Sequence, residues 1–224
     1  GLFVKDLKSG EVVQYKIPGD NPTSRNRITN ITKISDDTYW VSIWGHQIYE
    51  WNYSTKKFLK LDLKNPKDGF IPQFNLTILH DQKGRVWLGN SEKGLFLIDK
   101  KTLEIQNFPI SENLTSESLH DEYISFLFED SDQEIWVGTH GGLNKLNADS
   151  TFTKYEKIEK SNRGLSNNKV NHISEDNKGN LWISTELGLN RFDKDRSEFT
   201  HYFSNNQLPS STISASLTDN EGIL

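Results

Sequence analysis

The chain repeats a short alternation of apolar and polar residues that runs into a turn. In one copy Ile124, Phe126 and Phe128 alternate along six residues, and turns such as 176–179 (Asp-Asn-Lys-Gly) separate the segments. Alternation with a period of two, bounded by Asp, Asn and Gly, is typical of β-strands. No stretch of ten residues has apolar positions at helical spacing. We therefore predict an all-β chain with almost no helix.

Four of the six tryptophans share a near-constant spacing: Trp40, Trp87, Trp136 and Trp182, at intervals of 47, 49 and 46 residues. The residues around them recur too, since Ile-Trp-Val-Gly-Thr at 135–139 matches Leu-Trp-Ile-Ser-Thr at 181–185. Recurrence at a period of 40–50 residues is the mark of a repeat architecture. In the weaker first copy we count from Ile31 and predict a turn three residues shorter than in the others.

Each unit contains four strand-like segments in about 45 residues, which predicts a blade of a β-propeller. A single four-stranded sheet leaves both faces uncovered, so blades stack around an axis and bury those faces against each other. The tryptophan lies on the second segment. We expect the four repeated tryptophans to be packing residues between blades, and the alternative is that they are stacking platforms for sugars.

Both ends of the chain fall inside a blade. Residues 1–17 resemble 188–203, which are the third and fourth strands of a unit, and residues 213–224 match the start of a unit. We predict about five blades' worth of a longer propeller, and a natural five-bladed ring is the alternative. The predicted divisions are 1–25 (outer strands of a split blade), four blades at 26–73, 74–119, 120–168 and 169–208, and 209–224 (inner strand of a split blade).

Composition narrows the class of protein. Only 33% of residues are hydrophobic and 25% are charged, but 12 Phe, 7 Tyr and 6 Trp supply a core. The net charge of −5 argues against sequence-independent nucleic-acid binding, and no apolar run is long enough to span a membrane. The chain has no Cys, which excludes disulfides and thiolate chemistry. It also has no Met, so we expect Gly1 not to be a natural N-terminus.

The repeated block resembles the two-component regulator propeller repeat. The clearest copies are 130–147 and 176–193, and Gly-Leu-Ser-Asn-Asn at 164–168 resembles the segment that leads into that family's inner strand. The resemblance implies a periplasmic sensor region with two seven-bladed propellers, followed by a β-sandwich, a membrane helix, a histidine kinase and a DNA-binding domain. It further implies a ligand, often an oligosaccharide released from a polysaccharide, and a homodimer whose only membrane contact is through the parent chain.

No catalytic or metal motif is evident. Asp130, Asp132 and Glu134 copy the start of a calcium loop, but the loop lacks its Gly and distant Glu, so we predict a solvated turn there and at 193–195. His172 lies on an inner strand and is interpreted as a hydrogen-bonded channel residue. We expect no metal and no cofactor. Carboxylate pairs assembled from different blades stay open, because spacing does not reveal them.

Candidate ligand contacts lie in the turn after each tryptophan strand and in the links between blades, which share one rim. A glycan needs polar partners and an aromatic face. Trp44 is a candidate platform, with inter-blade filler as the alternative, and Arg side chains suit acidic sugars. The candidates are Arg25, Arg27, Trp44, His46, Asn90, Lys93, His140, Asn167, Asn168 and Glu186.

Three functions fit these observations. The first is a ligand-sensing segment that catalyses nothing, because the repeats are in phase and no catalytic constellation is found. The second is a propeller polysaccharide lyase or hydrolase. The third is a propeller that binds partner proteins.

Overall fold

The computed structural model describes residues 1–17, 27–45, 48–108, 118–119, 121–161, 163–204 and 208–219. All regular structure within these ranges is β-strand. Among these residues no helix has the length and apolarity that crossing a bilayer requires.

Four antiparallel sheets of four strands follow one another along the chain, and each sheet pairs its strands in chain order. Blade 1 comprises β3 (Ile28–Lys33), β4 (Thr38–Ile43), β5 (Tyr49–Asn52) and β6 (Lys57–Lys60). Blade 2 comprises β7 (Asn75–His80), β8 (Val86–Asn90), β9 (Leu95–Ile98) and β10 (Ile105–Asn107). Blade 3 comprises β11 (Ile124–Glu129), β12 (Ile135–Thr139), β13 (Leu143–Leu146) and β14 (Phe152–Tyr155). Blade 4 comprises β15 (Val170–Glu175), β16 (Leu181–Thr185), β17 (Gly188–Asp193) and β18 (Glu198–Tyr202). The predicted all-β fold of four-stranded propeller blades is confirmed.

The first blade has the same hairpin as the others, which corrects one expectation. Lys33 pairs with Tyr39 across a turn as long as the one that joins His80 to Val86. The prediction of a shortened turn was wrong because it counted the repeat from Ile31. The strand instead begins at Ile28, which is also apolar, and Ile31 is 47% exposed.

The chain ends lie against the outer blades. A two-stranded sheet of β1 (Leu2–Lys5) and β2 (Val12–Tyr15) packs Leu2 and Ile17 onto Val41 and Ile43 of blade 1. At the other end, residues 208–219 contain no assigned strand, although an inner strand is predicted over 209–224. They approach β15 through side chains, such as Asn171 Nδ2, which donates to the Ile213 carbonyl at 2.9 Å. The remaining residues of that prediction, 220–224, lie outside the described ranges.

The core consists of apolar clusters between successive sheets. Trp40 lies in the cluster between blades 1 and 2, Trp87 in that between blades 2 and 3, and Trp136 in that between blades 3 and 4. All three indoles are buried. Trp182 is only partly buried and stacks on Tyr202, with ring centroids 5.4 Å apart.

A small residue two positions after each tryptophan lets neighbouring sheets approach closely. A Cβ placed on Gly89 would lie 2.6 Å from the Ile124 Cγ2 atom of the next blade, and one on Gly138 would lie 2.7 Å from Val170 Cγ1. Both distances are shorter than van der Waals contact. The glycines therefore set the spacing between blades 2, 3 and 4, and with it the relative positions of the loops at the blade ends.

Hydrogen bonds from side chains join successive inner strands. The Thr29 hydroxyl donates to the Asn75 carbonyl at 2.7 Å, and the Thr32 hydroxyl donates to the Ile78 carbonyl at 2.7 Å. The Ser125 hydroxyl donates to the Val170 carbonyl in the same way. These bonds tie the inner strands into one curved array, so the loops that flank them are held in fixed order.

Candidate ligand-binding rim

One backbone hydrogen bond recurs at the same end of every blade. The N–H of the residue that follows the second strand donates to the carbonyl of the residue that precedes the first strand, at 2.9 to 3.3 Å. The two residues are always 17 positions apart. We call them the rim pairs: Arg27–Trp44, Phe74–Ser91, Tyr123–His140 and Lys169–Glu186. All eight residues are at least partly exposed.

Aromatic rings bridge blades 1 and 2 at this rim. Trp44 meets Phe74 edge to face, with ring centroids 5.4 Å apart. Gly45 follows Trp44 with a φ of +76°, a conformation that only glycine adopts without strain. The tight turn therefore leaves the indole on the rim, beside an aromatic ring of the next blade.

A stacked pair stands on blade 3. The Tyr123 and His140 rings are nearly parallel, with centroids 3.8 Å apart. Burial and the positive charge of Lys169 lower the pKa of His140 below its ordinary value, although the charges of Asp121 and Glu186 oppose that shift. The lowered pKa favours the neutral ring, which offers one donor and one acceptor nitrogen.

An ion pair stands on blade 4. Lys169 Nζ lies 3.2 Å from Glu186 Oε2, and both side chains are 47% exposed. The adjacent loop is held by its own amides, because Asn167 Oδ1 accepts the Lys169 N–H at 2.8 Å and Asn168 Oδ1 accepts the Lys157 N–H at 2.6 Å. These hydrogen bonds fix the loop that leads into Lys169, and with it one member of the ion pair.

Most of the predicted contact residues fall on or next to this rim. Arg27, Trp44, His140 and Glu186 belong to the rim pairs, and the loop before Lys169 carries Asn167 and Asn168. Arg25 and His46 lie outside the described residues. Whether any of these side chains binds a ligand stays a prediction.

Two predicted residues of blade 2 have other surroundings. Asn90 is fully buried, and its Oδ1 accepts the N–H groups of Glu92 and Lys93, so this side chain holds the turn instead of facing solvent. Lys93 is exposed, and its Nζ lies 5.9 Å from the centre of the Phe70 ring. Asn90 thus stabilises a turn of the rim from a buried position.

Four rim-pair residues are not among the predicted contacts: Phe74, Ser91, Tyr123 and Lys169. Phe74, Tyr123 and Lys169 directly precede an inner strand, where the sequence varies from copy to copy, and Ser91 directly follows the second strand of blade 2. The constant offset of 17 residues from the position after the tryptophan strand is the signal that identifies them.

At the opposite end of the blades, the predicted solvated turn at Asp130 was wrong. Asp130 is 1% exposed, and its Oδ2 accepts the Trp136 indole N–H at 2.8 Å and a proton of Lys194 Nζ at 2.9 Å. Asp132 is exposed, as expected. No group of His, Cys, Asp and Glu in the described part of the chain is arranged to hold a metal ion.

His172 also differs from its predicted role as a hydrogen-bonded channel residue. Its Nδ1 is buried and has no hydrogen-bond partner within the described ranges, and its ring lies 4.2 Å from that of Phe126. Burial lowers the pKa of His172, which favours the neutral ring. The side chain serves as packing between blades 3 and 4.

Comparison with known proteins identifies the repeats. Residues 118–141 and 164–186 match the family model of the two component regulator propeller. Two segments of the chain therefore match this repeat, and the predicted resemblance is confirmed. None of the curated proteins in the comparison matches the chain.

Solved structures of low sequence identity share the fold. Two extracellular domains of hybrid two-component systems from B. thetaiotaomicron match with TM-scores of 0.76 and 0.77, at 21% and 17% identity. Each match covers 99% of this chain and 28% of that domain. Virginiamycin B lyase from Staphylococcus aureus matches at 17% identity with a TM-score of 0.64, over 93% of this chain and 63% of the lyase. This chain therefore spans about 28% of the length of the sensor domains that it resembles.

Proposed function

We propose that this chain is a propeller segment of a hybrid two-component sensor and that it binds an oligosaccharide, or a related glycan breakdown product, at the rim pairs. The observation that carries the proposal is the recurrence of two residues that are at least partly exposed at the same end of four successive blades. The family of the repeats, and the sensor domains that share the fold, support the same reading.

The chemistry of the rim suits a sugar. Aromatic rings offer apolar faces for the C–H surface of a pyranose, and neighbouring polar groups give hydroxyls their hydrogen-bond partners. Trp44 and Phe74 supply the first kind of surface, while His140, Lys169 and Glu186 supply the second. The aromatic faces lie on blades 1 and 2 and the polar groups on blades 3 and 4, so a chain of several sugar units finds contacts on successive blades.

Signalling is part of the proposal. A ligand shifts a sensor only by its different affinities for the two signalling states. We infer that the parent protein is a homodimer in the periplasm, anchored in the inner membrane, and that a histidine kinase transmits binding to transcription. A ligand that spans several blades would favour the state in which those blades hold the rim in the binding geometry.

Calorimetric titration of the purified chain with a panel of neutral and acidic oligosaccharides tests binding at the rim. We expect at least one oligosaccharide to bind and to raise the melting temperature. The variants Trp44→Ala and Tyr123→Ala should bind it at least about tenfold more weakly, which is the loss of one good contact. Tyr53→Ala is the matched control, since Tyr53 is 45% exposed in the turn at the other end of blade 1. An absence of binding across the panel, or equal affinity of all variants, would contradict the proposal.

A second candidate function is catalysis by a propeller lyase or hydrolase. It is favoured by His140, whose pKa is lowered and whose ring interacts electrostatically with Lys169 and Glu186, and by the shared fold of virginiamycin B lyase. A neutral imidazole near a carboxylate is suited to general acid–base catalysis. Turnover of an oligosaccharide by the purified chain, abolished in His140→Ala, would establish this function in place of sensing alone.

A further inference from the structure

A groove runs along the outer strand of blade 2, away from the rim pairs. Two adjoining depressions of about 550 and 600 Å³ share Pro66, Ile105 and Gln106 as lining residues. We call this surface the outer groove. Ile105 is buried beneath it, whereas Gln106 and Asn107 are exposed beside it.

Positive charge is concentrated in the outer groove, although the chain as a whole carries a net −5. Five cationic side chains and three acidic ones line it. The cations are Lys67, Arg85, Lys93, Lys100 and Lys101, and the acids are Asp68, Asp99 and Glu104. Such a local excess on an acidic molecule concentrates anions at this surface.

Two of the carboxylates in the groove already accept hydrogen bonds from backbone N–H groups. Asp99 Oδ1 accepts the N–H groups of Lys101 and Thr102, at 2.7 and 2.9 Å, and Asp68 Oδ1 accepts the Phe70 N–H at 2.9 Å. Each turn is thus stabilised by hydrogen bonds from its backbone to its own carboxylate. The acids therefore brace the loops that present the lysines.

Three of the lysines are available to a ligand. Lys67, Lys93 and Lys101 are exposed, and none of them takes part in an ion pair within the described ranges. By contrast, Arg85 is paired with Asp81 at 2.7 Å, and Lys100 Nζ lies 2.9 Å from His80 Nε2. The free ammonium groups thus line both depressions, with Lys101 in one and Lys67 and Lys93 in the other.

The backbone edge of β10 is already used. The Ile105 N–H donates to the Lys64 carbonyl at 2.8 Å, and the Lys64 N–H donates to the Leu103 carbonyl at 2.8 Å. The start of this edge is therefore closed to a peptide that would add as a further strand. Recognition at the groove falls to side chains, namely the lysines and the exposed amides of Gln106 and Asn107.

We propose that the outer groove binds an anionic oligosaccharide, whose sulfate or carboxylate groups meet Lys67, Lys93 and Lys101 and whose hydroxyls meet the two amides. The choice of a glycan over other polyanions rests on the proposed function. The site itself is separate from the rim pairs. It gives the protein a second contact with a charged glycan chain, on the outer edge of the propeller.

The test is calorimetric titration of the chain with a heparin-derived oligosaccharide, its desulfated counterpart and an oligogalacturonate. The variant Lys67→Gln/Lys101→Gln removes two groove charges. The matched control is Lys5→Gln/Lys16→Gln, which removes two exposed lysines near β1 and β2 and gives the same net charge. We expect the wild type and the control to bind an anionic oligosaccharide alike, more weakly at high salt. The groove variant should bind it at least about tenfold more weakly.

Equal affinity of the groove variant and the control would overturn the inference. Equally tight, lysine-dependent binding of polyglutamate or single-stranded DNA would also overturn it, since the groove would then be a general polyanion surface. The rim variant Trp44→Ala separates the two proposals. If it loses a neutral oligosaccharide while the groove variant keeps every anionic one, the proposed function stands and the outer groove fails.

Discussion

At the scale of single residues, one carboxylate holds the tryptophan of each later blade. Asp81 Oδ2 accepts the Trp87 indole N–H at 2.9 Å, and Asp176 Oδ2 accepts that of Trp182 at 3.0 Å. In blade 1 Ile34 occupies the equivalent position, six residues before Trp40. The buried Nε1 of Trp40 accordingly has no hydrogen-bond partner within the described ranges. In blade 1, therefore, apolar packing at Ile34 replaces the carboxylate that holds the indole in the later blades.

Removal of the carboxylate should destabilise a later blade. In Asp81→Ala the buried Trp87 N–H and the Arg85 N–H both lose their acceptor. We expect the free energy of unfolding to fall by about 1–3 kcal/mol, the cost of an unsatisfied buried donor. Urea denaturation measures it. Asp36→Ala, which removes a fully exposed carboxylate from the blade 1 turn, should change stability by less than about 0.5 kcal/mol. Equal losses in the two variants would contradict this account.

The same aspartates make stability depend on pH. Burial opposes the charge of Asp81, but hydrogen bonds from Trp87 and Arg85 outweigh it and hold the pKa of Asp81 below its ordinary 3.8. A lowered pKa in the folded state contributes stability above the pKa of the unfolded chain, and that stability is lost as the pH falls through the folded value. We expect the melting temperature to drop below about pH 4. Asp81→Asn should show a smaller drop than the wild type, and parallel curves would exclude this linkage.

Sequence reasoning was most successful where a residue type recurs and least where it varies. Three of the four regular tryptophans, Trp40, Trp87 and Trp136, lie in the clusters between blades, whereas Trp182 is only partly buried. Only half of the rim-pair residues are predicted from the sequence, because Phe74, Tyr123 and Lys169 share a position in the repeat but have no chemistry in common. The sequence predicts Asn90 as a contact residue, because it does not distinguish an amide that faces water from one that caps a turn. The Asn90 side chain caps the turn.

At the scale of elements, an ion cluster joins the turns of blades 3 and 4. Lys194 Nζ lies 2.9 Å from Asp130 Oδ2, 2.7 Å from Asp132 Oδ2 and 3.0 Å from Glu175 Oε1. Burial disfavours the ammonium charge, but the three carboxylates outweigh it and raise the pKa of Lys194. Glu175 also accepts the Ser131 N–H at 2.7 Å, so a strand residue of blade 4 caps a turn of blade 3.

Loss of the central cation should loosen this junction. In Lys194→Met three carboxylates face one another without a counter-charge, and we expect the free energy of unfolding at pH 7 to fall by about 2–4 kcal/mol. Protonation relieves the repulsion, so the loss should shrink near pH 4. Lys178→Met, an exposed lysine in the neighbouring turn, serves as the control and should behave like the wild type. A deficit that stays constant with pH would contradict an electrostatic origin.

Element boundaries followed from the alternating pattern wherever it was unambiguous. In blades 3 and 4 the pattern offers only one apolar residue at which the inner strand can begin. The strands of these blades therefore lie where the pattern indicates. In blade 1 both Ile28 and Ile31 are apolar, and pairing with Ile43 rather than local sequence decides which begins the strand. The cluster around Lys194 joins residues 62 and 64 positions apart, and no local pattern signals such a contact.

At the scale of the whole molecule, each sheet is stabilised by its neighbours. Blade 3 is covered by blade 2 on one face and blade 4 on the other, and Trp136 is 1% exposed. Residues 208–219, which contain no assigned strand, contact blade 4 through hydrogen bonds such as that from Asn171 Nδ2 to the Ile213 carbonyl, and the sheet of β1 and β2 packs on blade 1. In such a linear array, stability is the sum of the terms for single repeats and for their interfaces.

Local stability should therefore be highest in the middle of the array and lower toward both ends. Hydrogen–deuterium exchange followed by mass spectrometry measures it, because protected amides exchange only when their segment opens. We expect peptides from β8 and β12 to exchange at least about tenfold more slowly than peptides from β1 and β16, a difference of about 1.4 kcal/mol in opening free energy. Destabilisation of the junction by Lys194→Met should speed exchange in β16 and leave β8 unchanged. Uniform protection from β1 to β16 would mean that the sheets unfold as one cooperative unit, and interfaces between neighbours would then not be the terms that decide stability.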